Sequence, residues 1–179
     1  MTYLALLRAV NLGGHNRIAM AALRDLVASL GFVDVRTLLQ SGNVVFRAPR
    51  QSTSALEAML QTATAERLGV STPFVVRTAT EWRALVATNP FLDEAADSPN
   101  HLLLAALRDR PAPAAIASLE AAASSRERVR VIGREAFIVY ADGIGRSRLT
   151  NAVIERTLGT VATGRNWNTV LKLAALAPD

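Results

Sequence analysis

The sequence predicts an α+β protein in two consecutive halves, each a mostly antiparallel sheet covered by helices. Three observations predict it. Short apolar runs of strand length alternate with longer runs whose apolar residues recur at helical spacing. The order of elements seen in residues 3–78 begins again at Leu102. Between the two lies residues 91–100, Phe-Leu-Asp-Glu-Ala-Ala-Asp-Ser-Pro-Asn, polar and acidic enough to read as a linker.

Residues 3–10 form a continuous apolar run bounded by Asn11 and Gly13, the pattern of a central strand. Met20, Leu23, Leu26, Val27 and Leu30 make an amphipathic helix stopped by Gly31. Val33, Val35, Thr37 and Leu39 alternate along a second strand. Ser41-Gly42 then turns the chain into a third, Asn43 to Arg47. After the loop at 49–54, Leu56, Met59, Leu60 and Ala63 form one face of a helix ending before Gly69, and Phe74 to Arg77 is a fourth strand. Val44 and Phe46 oppose Val45 on the third strand, so neither of its faces is expected to be fully wetted. This order, βαββαβ, is the split β-α-β unit of ferredoxin-like folds. Thr78-Ala-Thr-Glu81 is a capping box for a short extra helix carrying Trp82, Leu85 and Val86, and Asn89-Pro90 ends it. The first subdomain is thus 1–90.

The second, 101–179, starts with the strand Leu102 to Leu107, followed by a helix with Pro113 at its first position and Ile116 and Leu119 on its inner face. Arg128 to Ile132 and Ala136 to Ala141 form a hairpin about Gly133-Arg134. Helices follow near 149–158 and 169–176, with Asn168 or Thr169 as the cap of the last. This reads as βαββαα, with 160–163 the only candidate for a fourth strand.

Composition narrows the chemistry. The chain has 179 residues, half of them apolar, enough for real cores without covalent staples. It has no cysteine, which removes disulfides, thiolate nucleophiles, Cys-ligated zinc and iron–sulfur clusters. Two histidines, His15 and His101, are little material for a metal site, although magnesium carried in with a phosphate stays open. The pI of 10.9 overstates basicity. Every basic residue but Lys172 is arginine, whose high pKa raises the pI without adding charge at pH 7. The surplus of +5 divides as +4 in residues 1–90 and +1 in 91–179, which places an anion-attracting face mainly in the first half. No basic segment precedes the apolar N-terminal run, and no apolar stretch approaches the roughly 20 residues of a membrane helix. The expectation is a soluble cytoplasmic protein without a membrane partner.

Three polar clusters stand out. The first, between strand one and helix one, comprises Arg8, Asn11, Gly13, Gly14, His15, Asn16 and Arg17. Glycines and asparagines allow positive φ and exposed N–H groups, and flanking arginines complete the parts of an anion site. The spacing matches neither common nucleotide-loop fingerprint, and the same residues also make an ordinary strand-to-helix connection. The second is Gln40, Ser41, Gly42 and Asn43, which a βαββαβ topology sets beside the end of strand one; alone it reads as turn chemistry. The third is Asp142-Gly143-Ile-Gly145-Arg146-Ser147-Arg148, with Ser147 placed to cap a helix, followed downstream by Arg165, Asn166 and Trp167. Trp167 suits either a stacked planar ligand or local packing.

The segments 6–16 (Leu-Leu-Arg-Ala-Val-Asn-Leu-Gly-Gly-His-Asn), 39–46 (Leu-Gln-Ser-Gly-Asn-Val-Val-Phe), Asn-Pro-Phe at 89–91, 142–149 (Asp-Gly-Ile-Gly-Arg-Ser-Arg-Leu) and 165–169 (Arg-Asn-Trp-Asn-Thr) resemble the bacterial domain-of-unknown-function 1697 family. They run in family order along essentially the whole chain. Ala9 departs from the pattern, standing where the family usually has Gly. The resemblance implies an α+β protein of two related subdomains and brings no activity, catalytic residue or cofactor.

No Gly-x-Ser-x-Gly elbow occurs, and Asp93, Glu94 and Asp97 read as solvated rather than as paired acid/base groups. His15 is the best acid/base candidate by composition, yet a loop histidine usually makes one backbone hydrogen bond. Whether the chain is an enzyme stays open, as do cofactor and oligomeric state. The preferred expectation is a small anionic ligand, phosphate- or carboxylate-bearing, held at the clusters. Alternatives are a single-stranded nucleic-acid module, which the scarcity of strand aromatics disfavours, and a structural or oligomerisation role without a ligand.

Overall fold

The computed structural model describes residues 1–11 and 17–177. It divides into two compact units, Met1–Ala84 with the residues from Leu173 onward, and Leu85–Lys172.

In the first unit the apolar run becomes β1 (Thr2–Leu7), whose six residues are all buried. A strand buried on both faces sits at a sheet centre, and here β1 pairs antiparallel with β3 (Asn43–Arg47) on one edge and β4 (Phe74–Thr78) on the other. With β2 (Val33–Thr37) outside β3 the order is β2-β3-β1-β4. Helices α1 (Met20–Ser29) and α2 (Thr53–Leu68) cover one face, with Leu23, Val27, Leu56 and Leu60 packed over Tyr3, Ala5, Leu7, Val44, Phe46, Phe74 and Val76. Phe46 stacks between Tyr3 (5.8 Å) and Phe32 (4.8 Å). Leu4, Leu6, Val45 and Val75, on the opposite face, are buried too, as the two-sided apolar pattern of the third strand predicts.

Two readings are corrected. Met59 is exposed, and Glu57 is buried in its place because its Oε1 accepts the Val76 N–H at 2.8 Å. The second strand ends at Thr37 instead of reaching Leu39, where φ is +58° and the side chain is half exposed. Edge strand β2 is further broken by a bulge between Val33 and Arg36, with Asp34 at φ +53°, a feature that discourages pairing with another chain.

The second unit repeats the plan. β5 (Leu102–Leu107), α5 (Pro113–Ala122), β6 (Glu127–Ile132), β7 (Glu135–Tyr140), α6 (Asn151–Leu158) and β8 (Ala162–Asn166) give a sheet ordered β6-β7-β5-β8. The half is therefore βαββαβ, not βαββαα; the candidate at 160–163 is the fourth strand, but it runs 162–166, and Ala-Thr-Gly-Arg-Asn lacks the apolar residues that would mark its bounds. Helix α3 (Ala79–Ala87) opens on the predicted capping box, Thr78 N–H to Glu81 Oε2 and Glu81 N–H to Thr78 Oγ1. Residues 91–100 are not a plain linker but contain helix α4 (Leu92–Asp97), none of whose residues is buried. Helix α7 (Trp167–Leu176) begins two residues early, capped by Asn166, whose Oδ1 accepts from both Thr169 N–H and Oγ1–H, so neither Asn168 nor Thr169 is the cap.

Strand register exposes an internal repeat that element order only suggests. Leu4 pairs with Arg77 and Leu104 with Arg165. That match aligns Leu4, Ala5, Leu7 and Arg8 with Leu104, Ala105, Leu107 and Arg108, identical at all four positions. The backbone follows: Leu7 N–H donates to Gly42 O and Arg8 N–H to Pro73 O, as Leu107 N–H donates to Arg134 O and Arg108 N–H to Val161 O. Each fourth strand also has an outward N–H taken by a helix carboxylate, Val76 by Glu57 and Ala162 by Glu155, both at 2.8 Å.

The turn before β3 is the tightest point of the first unit. Gly42 has φ +74°, and a Cβ there would lie 2.6 Å from Val10 Cγ2 and 2.8 Å from Leu7 Cβ. Gly42→Ala therefore combines left-handed strain with overpacking and is expected to cost about 2–4 kcal/mol, measured by urea unfolding.

Candidate functional site

The first and second clusters converge, as the topology predicts. Leu6 pairs with Asn43 and Leu7 N–H donates to Gly42 O, so the end of β1 lies against the 40–43 turn. The Asn11 amide holds this junction: Nδ2 donates to Gln40 O (2.8 Å) and Ile18 O (3.0 Å), and Oδ1 accepts from Ile18 N–H (2.9 Å). Asn43 is fully buried, its Nδ2 donating to Leu38 O and Ser41 Oγ. Thr72 Oγ1 donates to Arg8 O. Arg8 is half-buried, and Gln40 and Arg17 are exposed. Gly13, Gly14, His15 and Asn16 lie outside the described residues. Positive φ values gather here, at Ala9 (+49°), Asn11 (+56°), Leu39 (+58°) and Gly42. Asparagine and glycine tolerate this region at little cost, whereas the Ala9 methyl adds left-handed strain.

The third cluster lines a cleft of about 700 Å³ in the second unit. The hairpin β6–β7 opens at Glu127 opposite Tyr140, and the chain diverges there toward α5 on one side and α6 on the other. Two polar pairs tie the diverging segments. Arg126 donates through Nε and Nη2 to the two oxygens of Asp142, and Ser147 Oγ–H donates to Glu127 Oε1. Glu127 Oε2 also accepts the Ser124 N–H at 3.0 Å. Burial pushes the Glu127 carboxyl up, but the hydrogen bonds from Ser147 and Ser124 outweigh it and hold the group below its ordinary value. Asp142 is likewise held down, first by its hydrogen bonds from Arg126 and further by the charges of Arg126, Arg146 and His101. Burial, with the Glu127 charge adding to it, raises Tyr140, whose hydroxyl donates to Leu149 O at 2.8 Å.

Gly143 turns the loop at φ +82°, and Gly145 lies in the single 3-10 turn Ile144–Arg146. Ser147 does not cap the helix. Its Oγ accepts from Leu149 N–H, while Thr150 caps α6 by accepting from Val153 N–H. Arg146 and Arg148 are exposed on the cleft wall, and Arg148 makes no ion pair or hydrogen bond among the described residues. Arg165, Asn166 and Trp167 do not line this cleft. Arg165 is buried on β8, donating to Thr163 Oγ1 and Gly164 O, and burial lowers its guanidinium to about 10. Trp167 packs against Phe137, ring centroids 6.3 Å apart. No cluster of His, Cys, Asp or Glu among the described residues gathers as a metal site.

Sequence reasoning overlooked Arg126, Glu127 and Tyr140. A signal for the first existed: a hairpin turning on Gly133-Arg134 sets 127 opposite 140, and so Arg126 near Asp142. The Glu127–Ser147 pair carries no such signal, because Ser147 reaches it through an irregular loop.

A family model described as a protein of unknown function, DUF1697, matches residues 1–137. The chain belongs to this family. No curated protein matches it. Among solved structures it is similar to the conserved bacterial protein SP0830 from Streptococcus pneumoniae, with a TM-score of 0.73 at 20% identity, covering 99% of this chain and 98% of that one. At that identity the likeness speaks for the fold. The DUF1697 match contains the first and second clusters and one rim of the cleft, Ala122 to Glu127.

Two outcomes follow from these geometries. Ala9→Gly exchanges a left-handed strain of about 1–2 kcal/mol for a glycine entropy cost of about 0.5–1 kcal/mol, so chemical denaturation should show a net gain of a few tenths to 1 kcal/mol. Glu127, with its folded pKa depressed, contributes stability that is fully present above its unfolded value near 4.5 and lost as pH falls through the folded value. Ser147→Ala should raise the Glu127 pKa, read by carbon NMR of its carboxyl, and shrink the acid-dependent part of stability below pH 4.5.

Proposed function

We propose that the cleft of the second unit binds a small anionic ligand, phosphate- or carboxylate-bearing, through Arg146 and Arg148. The observation that carries this reading is the charge of the lining. Three arginines (Arg126, Arg146, Arg148) face two carboxylates (Glu127, Asp142), and Arg126 is already matched by Asp142. The second half has a net charge of only +1 in sequence, yet three of its arginines gather in this lining. A volume of about 700 Å³ is within the range of small-molecule sites. The first-unit cluster, Arg8 to Arg17 with Gln40 to Asn43, supports the reading less, since the Asn11 and Asn43 amides are engaged with their own backbone.

Single-stranded nucleic acid is the weaker reading. Phe46 and Phe137 are fully buried, leaving neither free to stack a base. The arginines along β6 are each matched as well, Arg128 by Glu94 and the Phe91 ring and Arg130 by Glu120. A cytosolic bacterial protein suits the anion reading: no described helix is long and apolar enough to cross a membrane, and the similar solved protein is bacterial.

Thermal unfolding in inorganic phosphate tests the proposal. At tenfold the Kd, binding stabilises by about 1.4 kcal/mol, an expected rise of about 3–6 °C in Tm, and an Arg146→Ala/Arg148→Ala double variant should lose it. Absence of any shift with phosphate, sulfate or a carboxylate would leave the clusters as turns in a structural protein.

A further inference from the structure

The lining of the cleft defines its ligand more narrowly than charge alone. Its two carboxylates are the distinguishing feature, because a site for a bare anion gains nothing from Glu127 and Asp142 in its lining. Each is fixed in place by protein donors: Asp142 by Arg126, and Glu127 by Ser147 and Ser124. A carboxylate offers about four lone-pair positions, so each retains capacity to accept from a ligand. A neutral donor suits that capacity best. An ammonium would be a fourth cation beside three guanidiniums and would have to compete with Arg126 for Asp142, whereas a hydroxyl needs only a free lone pair. The volume far exceeds that of an inorganic anion, which leaves room for a larger body joined to it.

We propose that the ligand is a polyhydroxylated anion of the sugar-phosphate class, its phosphate on Arg146 and Arg148 and its hydroxyls on Glu127 and Asp142. This rests on the anion-binding reading of the same cleft. Titration calorimetry on the full chain separates the two, using inorganic phosphate, ribose 5-phosphate, glucose 6-phosphate, free glucose and glutamate. The sugar phosphates are expected to bind at least tenfold tighter than inorganic phosphate, with free glucose and glutamate weaker than both. Asp142→Asn, at an exposed position, and Glu127→Gln should each remove most of that tenfold advantage. Inorganic phosphate should bind both variants at least as well as the wild type, since a negative charge is gone. Should Glu127→Gln fail to fold, Asp142→Asn alone decides. Equal binding of phosphate and sugar phosphate, or tighter binding of glutamate, overturns the sugar-phosphate assignment while leaving an anion site. Binding of none of the probes overturns the site itself.

Discussion

The rest of each unit depends on a central strand that cannot touch water. All six residues of β1 are buried, and five of the six in β5. Such a strand needs hydrogen-bonding neighbours on both edges, because its backbone groups have no solvent to turn to. It also needs cover on both faces, because its side chains alternate between them. The neighbours are β3 and β4 in one unit, β7 and β8 in the other, all antiparallel. From this arrangement follows the placement of the polar turns. The end of β1 meets the start of β3, so Arg8 and Asn11 must lie near Gln40–Asn43, and Gly42 must lack a side chain where Leu7 and Val10 press on it.

Burial at the centre moves the polar problem to the edges. The fourth strand of each sheet has a free side, and a glutamate from the preceding helix accepts one of its N–H groups, Glu57 in one unit and Glu155 in the other. The hydrogen bond gives the buried Glu57 carboxyl a partner, without which its place among apolar neighbours would leave an unsatisfied polar group. The opposite edges are kept open by different means, a bulge at Asp34 in β2 and charged side chains along β6. Arg77 and Arg165, at matching positions in the fourth strands, are buried guanidiniums that donate to their own strand carbonyls.

The same logic explains why the cleft lies at the open end of a hairpin. Where β6 and β7 stop pairing, their backbones separate and side chains must join them instead. Arg126–Asp142 and Glu127–Ser147 do so. The joint leaves Arg146 and Arg148 exposed in the lining, which holds three arginines and two carboxylates.

Much of the fold was legible in the chain because burial writes itself into periodicity. The two-sided apolar strands, the helices beginning at Met20 and Pro113, the Thr78–Glu81 capping box and the Gly133-Arg134 hairpin are all local patterns with local causes. Family membership was legible too, carried by the same polar segments. What escaped were elements whose stability comes from neighbours. Strand β8 has no apolar pattern and exists because β5 offers it a ladder, and α4 is short and polar. The sequence by itself determined two βαββ-based halves and the meeting of Arg8 with the Gln40–Asn43 turn, since strand order follows from which strands must be buried. Only tertiary structure decided that Trp167 and Arg165 are packed inward, that Glu57 displaces Met59 from the core, and that Glu127 reaches Ser147. Those choices are made by groups far apart in the chain competing for the same donors, acceptors and dry surface, and no local pattern records who wins.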